Sequence, residues 1–239
     1  MTHSGSDPLG AAVEAYWKGN RQAAIHVFTD QADPDELPAS YLFRAYEEMP
    51  EREQFALTCC SGKVLDVGAG AGSHALALQQ KGADVTALEI SARAAQVAEE
   101  RGVKENLVGD FFSLPPQPFQ TLLFLMNGIG IAGTLERLPL FLETCKKWLA
   151  PGGQILIESS DILYLYEEED GSVLLDLNSG YYGELTYVMA FEKERGAPFP
   201  WLFIDFDLLQ QYAAEAGLQA ELLLQEEDAH YLARLTCLP

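Results

Sequence analysis

The sequence predicts an α/β fold, an open, doubly wound, mostly parallel sheet with helices on both faces. Three observations predict it. From Lys63 onward, short apolar runs alternate with helix-like stretches ("KVLDV", "SHALALQQ", "VTALE"), the pattern of successive β-α-β units. Those runs are apolar throughout rather than alternating, as strands covered on both faces are. The first run leads into the glycine cluster "GAGAG" at 68–72, with a helical pattern directly behind it.

Ahead of this alternation, residues 1–60 are expected to form a helical extension or lid. Leu9, Ala12, Val13 and Tyr16 fall at helical spacing before "KGN" at 18–20 interrupts them. "QADPDELP" at 31–38 is expected to be a polar linker, and 41–57 to resume helical character, with Pro50 in the first turn of a new helix.

Residues 61–239 are expected to form the second unit. Its strands are Lys63–Val67, Val85–Glu89, a weak one in "NLVGD" at 106–110, "TLLFLMN" at 121–127 and "QILIESS" at 154–160. Its helices are Ser73–Gln80, one capped by Ser91 and ending near Gly102, and Leu135–Leu149. Residues 161–204 break the rhythm: Leu185, Tyr187, Met189 and Phe191 alternate with their neighbours, so a half-exposed antiparallel strand is expected. "ERGAPFP" at 194–200 is its turn and "WLFIDF" its return strand. This aromatic-rich insertion is expected to cover the acceptor or to support dimerisation. A helix at Leu208–Ala216 and two strands, 219–225 and 230–237, close the chain.

The formal net charge is -21, from 15 basic and 36 acidic residues. Phosphate-backbone binding needs clustered Lys and Arg, so a nucleic-acid partner is disfavoured, and so is an anionic membrane surface. Cys59, Cys60, Cys145 and Cys237 make no C-x-x-C pair, and "MTHSGSDPLG" lacks the order of a signal peptide. No apolar run is long enough to span a bilayer. A cytoplasmic protein, monomeric or homodimeric, is expected. His3, His26, His74 and His230 show no metal-ligand spacing, so no metal is expected.

A glycine loop between strand and helix lets backbone approach a ligand and aims free N–H groups at it. The dinucleotide fingerprint G-x-G-x-x-G would need a third glycine at 73, where this chain has Ser73. The phosphate-loop G-K-[ST] is also missing. The pattern is instead Gly68, Gly70, Gly72, preceded by Asp66. Glu89, at the end of the next strand, suits a ribose diol of any adenosine-containing ligand.

Four motifs in order, "VLDVGAGAG", "VTALEIS", "VGDFFSLP" and "LAPGGQILI", resemble those of the class I S-adenosylmethionine-dependent methyltransferases. The resemblance covers about 63–160 and, less tightly, 205–237. It implies a Rossmann-like seven-stranded sheet with a C-terminal antiparallel strand, and S-adenosylmethionine as cofactor with S-adenosylhomocysteine as product. It further implies that Gly68, Ala69, Gly70 and Gly72 pass under the methionine part and that Asp66 orients its amino group. Glu89 would bind the ribose, Ile90 would pack on adenine, and Asp110, with Phe111 beside it, would meet the adenine amino group. Asn127 would line the methyl-transfer side. Gln120 stands where that family often has Asp.

Arg44 is a candidate for the cofactor carboxylate, with a surface ion pair to Glu47 or Glu48 as its plainer alternative. Methyl transfer needs alignment more than a fixed catalytic residue. Asn127, His74 and Asp161 are the weak catalytic candidates. Asn127 opens "NGIG" rather than the N-P-P-[FY] of nucleic-acid and glutamine N-methyltransferases, which with the acidic surface argues against DNA as the substrate; a small-molecule acceptor is expected. The competing expectations are a non-catalytic cofactor-binding or scaffold protein and, less favoured, an NAD-dependent oxidoreductase.

Overall fold

The computed structural model describes residues 5–168, 170–175, 180–227 and 229–238; His3 lies outside them. Helix α1 (Pro8–Trp17) starts at the N-cap Asp7, whose Oδ1 accepts from the Gly10 N–H at 2.9 Å. The chain then forms a hairpin of β1 (Ala24–Phe28) and β2 (Asp35–Pro38). The expected linker at 31–38 is therefore corrected: its second half is a strand. Two short 3-10 turns, Ala39–Phe43 and Tyr46–Glu48, stand where helical character was expected before Pro50, and α2 (Glu51–Cys59) follows Pro50.

The core alternation follows the sequence closely. It runs β3 (Lys63–Val67), α3 (Ser73–Gln80), β4 (Asp84–Glu89), α4 (Ala92–Glu100), β5 (Asn106–Val108), β6 (Phe119–Phe124), α5 (Leu138–Trp148) and β7 (Leu149–Ser160). Ser91 caps α4 as expected, its Oγ accepting from the Ala94 N–H at 3.1 Å. The strand expected to reach residue 127 stops at Phe124, because Met126 and Asn127 turn left-handed, with φ of 56° and 55°.

The insertion contributes β8 (Glu184–Phe191), the two-residue β9 (Glu194–Arg195) and β10 (Phe199–Leu202). It is followed by α6 (Phe206–Glu215), β11 (Leu218–Gln225) and β12 (His230–Cys237). Among the described residues the main sheet has seven strands in the order β11-β12-β7-β6-β3-β4-β5. β3 pairs parallel to β4 and β6, β6 parallel to β7, and β12 antiparallel to β7. Val64, Leu65, Leu122, Leu123, Ile155 and Leu156 on its central strands are fully buried, as the continuous apolar runs require.

A second sheet, β10-β8-β1-β2, joins the N-terminal segment to the insertion. β8 pairs antiparallel with β1, His26 opposite Ala190 and Phe28 opposite Val188. The insertion is thus not a free hairpin; it shares a sheet with the N-terminal segment. Trp201 seats it on the loop after β6, where a Cβ on Gly130 would lie 2.1 Å from the indole.

Candidate active site

The carboxyl ends of β3, β4, β5 and β6 converge on one edge of the main sheet, where open α/β sheets hold ligands. One cleft there is lined by Tyr41, Arg44, Asp66, Gly68, Ala69, Gly70, Ser73, His74 and Met126, among others. The glycine loop is pinned to β4 by the Gly68 and Ala69 N–H groups, which donate to the Leu88 carbonyl at 2.8 and 3.1 Å. Its glycines divide by role. Gly70 has φ of 54° and open space where a Cβ would be, so its backbone is free for close approach by a ligand. Gly72 instead serves packing: a Cβ there would lie 2.7 Å from Val103 Cγ2 and 3.0 Å from Ala98 Cβ, and its φ is 81°. Gly72→Ala is expected to lower folding stability by about 1–3 kcal/mol. Urea denaturation checks this, and an unchanged midpoint would contradict it.

Ser73, where a dinucleotide fingerprint has glycine, donates from Oγ to the Leu42 carbonyl at 2.8 Å. Arg101 reinforces the same seam. It donates to the Ala71 carbonyl and, at 3.3 Å, to Phe43, while its guanidinium lies over the Phe43 ring. Burial pushes its pKa down to about 10. The 39–44 segment is thereby seated on the glycine loop.

Glu89 is buried, its Oε2 accepting from the Gly70 N–H at 2.7 Å and its Oε1 from the Ser91 N–H at 2.8 Å. Burial pushes its pKa up, and these backbone bonds pull the other way. Each oxygen keeps a further lone pair for a ribose hydroxyl. Ile90 beside it is 54% exposed, an apolar face of the kind a purine covers. Asp110 is bound locally, accepting from the Phe112 N–H at 3.1 Å and the Ser113 hydroxyl at 2.7 Å. Phe111 departs from expectation. Its ring is buried in the core, stacked on Trp148 at 5.6 Å and edge-on to Phe124 at 5.4 Å, so it does not stand beside adenine.

Arg44 also departs from its plainer alternative. It is buried, its Nη2 lies 3.1 Å from both carboxylate oxygens of Glu53, and its Nε donates to the Tyr41 carbonyl at 2.7 Å. Glu48 instead accepts from the Ala45 N–H. His74 Nε2 lies 2.7 Å from Glu53 Oε2. Burial works to lower the His74 pKa, but Glu53 and Asp66 outweigh it and raise it. Burial raises the pKa of Asp66. Two buried atoms here have no partner within the protein: Arg44 Nη1 and Asp66 Oδ2.

The remaining candidates are not among the residues lining this cleft. Asn127 donates from Nδ2 to the Leu202 carbonyl at 3.0 Å, tying the insertion to the end of β6, while its buried Oδ1 is unpartnered. Asp161 is a turn cap. Its Oδ1 accepts from the Leu163 N–H at 2.9 Å and the Tyr182 hydroxyl at 2.7 Å, so the structure does not bring it to the cleft. Sequence reasoning missed Glu53, which lies in no motif; a carboxylate nine residues after Arg44 was the one available signal. Among the described residues no three His, Cys, Asp or Glu side chains converge as a metal site.

A mostly parallel sheet with a glycine loop, a buried acid after the next strand and two unpartnered charged atoms in one cleft is the arrangement of a ligand-binding α/β protein. Comparison narrows this. Residues 65–157 match the family model described as "Methyltransferase domain". A SAM-dependent methyltransferase from Bacteroides fragilis, solved in complex with S-adenosyl-L-homocysteine, is 44% identical, covering 98% of this chain and 96% of that one, with a TM-score of 0.91. The ubiquinone biosynthesis O-methyltransferase of Pectobacterium carotovorum subsp. carotovorum is 33% identical over 104 residues, 41% of this chain and 42% of that protein. This chain thus matches about two fifths of that curated relative. The CcbJ methyltransferase from Streptomyces caelestis shares the fold at 17% identity and a TM-score of 0.60, covering 81% of this chain and 95% of that one. The chain belongs to the S-adenosylmethionine-dependent methyltransferases.

Proposed function

We propose that the protein moves the methyl group of S-adenosylmethionine to a small organic acceptor, and that the cleft at 66–74 takes the cofactor's methionine end. The observation that carries this reading is the pair of unpartnered atoms, Arg44 Nη1 and Asp66 Oδ2, lining one cleft. A buried donor cation and a buried acceptor anion complement an α-carboxylate and an α-ammonium, and both would otherwise stay unsatisfied at a cost. When bound, S-adenosylmethionine supplies an electrophilic methyl on a sulfonium. The chain's part is to hold and align it: Glu89 at the ribose diol, Ile90 against the base, Asp110 at the exocyclic amine and Gly70 under the loop.

Neither His74 nor Asp161 is placed as a free base. His74 is committed to Glu53 and Asp161 to its turn. The acceptor therefore brings its own lone pair, as an amine, a thiolate or an ionised hydroxyl does. The name of the Pectobacterium relative supports oxygen as the acceptor atom. We assign the insertion to the acceptor's cover and the protein, as a monomer or homodimer, to the cytoplasm. Its four cysteines are free thiols, as a reducing compartment keeps them. No helix among the described residues is long and apolar enough to cross a membrane.

Calorimetric titration with S-adenosylhomocysteine and, separately, NAD tests the cofactor. Micromolar binding of the first and none of the second is the expected result. Binding of NAD alone, or of neither, would overturn the reading.

A further inference from the structure

We propose that Glu53 is a positioning residue, a buried clamp that holds Arg44 and His74 in register and so presets the arginine end of the zwitterion site. The proposal rests on the cofactor reading above for its effect on affinity, but its geometry stands independently. Glu53 comes from α2, ahead of the first core strand, and is fully buried. An isolated buried carboxylate is costly, so such a group persists where it is paired and hydrogen-bonded.

Glu53 is satisfied from two sides. Arg44, at the end of the first 3-10 turn, reaches both of its oxygens, and His74, in the first turn of α3, reaches Oε2. Arg44 and His74 have no hydrogen bond to each other; Glu53 is the group they share. Around the imidazole stand Glu53 from α2, Asp66 from β3 and Arg44 from the lid. Glu53 has both carboxylate oxygens engaged within this set. What they leave over is the Nη1 nitrogen of Arg44, with both its N–H groups, and one oxygen of Asp66. The clamp turns the Arg44 guanidinium by binding its Nη2, while Nε is held by the Tyr41 carbonyl and the cation lies 3.4 Å from the Tyr41 ring centre. Only Nη1 remains for a ligand.

The test uses Glu53→Gln, Arg44→Met and the double variant in the whole protein, with S-adenosylhomocysteine affinity by calorimetry and the His74 imidazole titration by NMR. Expected is a loss of affinity of tenfold or more in each single variant, with the double variant little worse than either. The His74 midpoint should fall in Glu53→Gln, since a flanking anion has gone. Unchanged affinity in a folded Glu53→Gln protein, or losses that multiply in the double variant, would overturn the clamp.

If Glu53→Gln does not fold, the cycle of Arg44→Met with His74→Gln decides. Non-multiplicative losses support coupling through Glu53, and multiplicative ones refute it. The His74 titration needs no cofactor. Failure of the wild-type protein to bind S-adenosylhomocysteine would therefore sink the cofactor reading, whereas an unmoved His74 midpoint in Glu53→Gln would sink the clamp.

Discussion

Glu89→Ala is expected to weaken S-adenosylhomocysteine binding by roughly 100-fold, about 3 kcal/mol. Two losses combine. A carboxylate that accepts two ribose hydroxyls contributes about 1.5 kcal/mol or more per charge-assisted bond. The same carboxylate holds the Gly70 and Ser91 N–H groups from either side, so its removal also frees the ligand-facing point of the glycine loop. Glu89→Gln keeps one acceptor oxygen and should fall between alanine and wild type. Calorimetry gives the affinity, and amide hydrogen exchange at Gly70 reads the loop. A change under threefold in a folded Glu89→Ala protein would mean that this acid anchors the loop and does not touch ribose.

Phe111→Ala should act on stability instead. The ring is enclosed by Trp148, Phe124 and Phe141, with centroids 5.6, 5.4 and 6.2 Å away. Emptying such a site removes its contacts and leaves a cavity, which costs about 3–5 kcal/mol. The protein that remains folded should bind S-adenosylhomocysteine within a few-fold of wild type, because the ring faces the core. Denaturant unfolding alongside calorimetry separates the two effects. Preserved stability with lost affinity would return the ring to the adenine pocket.

Phe111 shows why the adjacent motif was only partly legible. "VGDFFSLP" marks the strand end and places Asp110, but two neighbouring phenylalanines give no signal of which one turns inward. The answer depends on Trp148, 37 positions away, whose indole fills the space beneath. Ser73 has the same character. In sequence it is a missing glycine; in the fold its hydroxyl meets the Leu42 carbonyl and seats the 39–44 segment. The plainer alternative for Arg44, a surface ion pair, gives way to a buried pair with Glu53. Helical spacing pointed to Glu47 or Glu48, but residues 39–48 form two short 3-10 turns, so that periodicity does not apply.

Local chemistry in the sequence determined the βα alternation from Lys63 to Ser160, the glycine loop with its acids and the closing antiparallel strands. Each depends on spacing within one element or on backbone freedom at single residues, and neighbours along the chain carry that information. Tertiary structure alone decided three other things: the pairing of His26 with Ala190, which unites the N-terminal segment and the insertion in one sheet; the burial of Glu53 between Arg44 and His74; and the turning of Phe111 into the core. The physical reason is common to all three. An open strand edge, a buried charge and a core void are satisfied by whichever group the fold brings near, and that group lies far away in sequence.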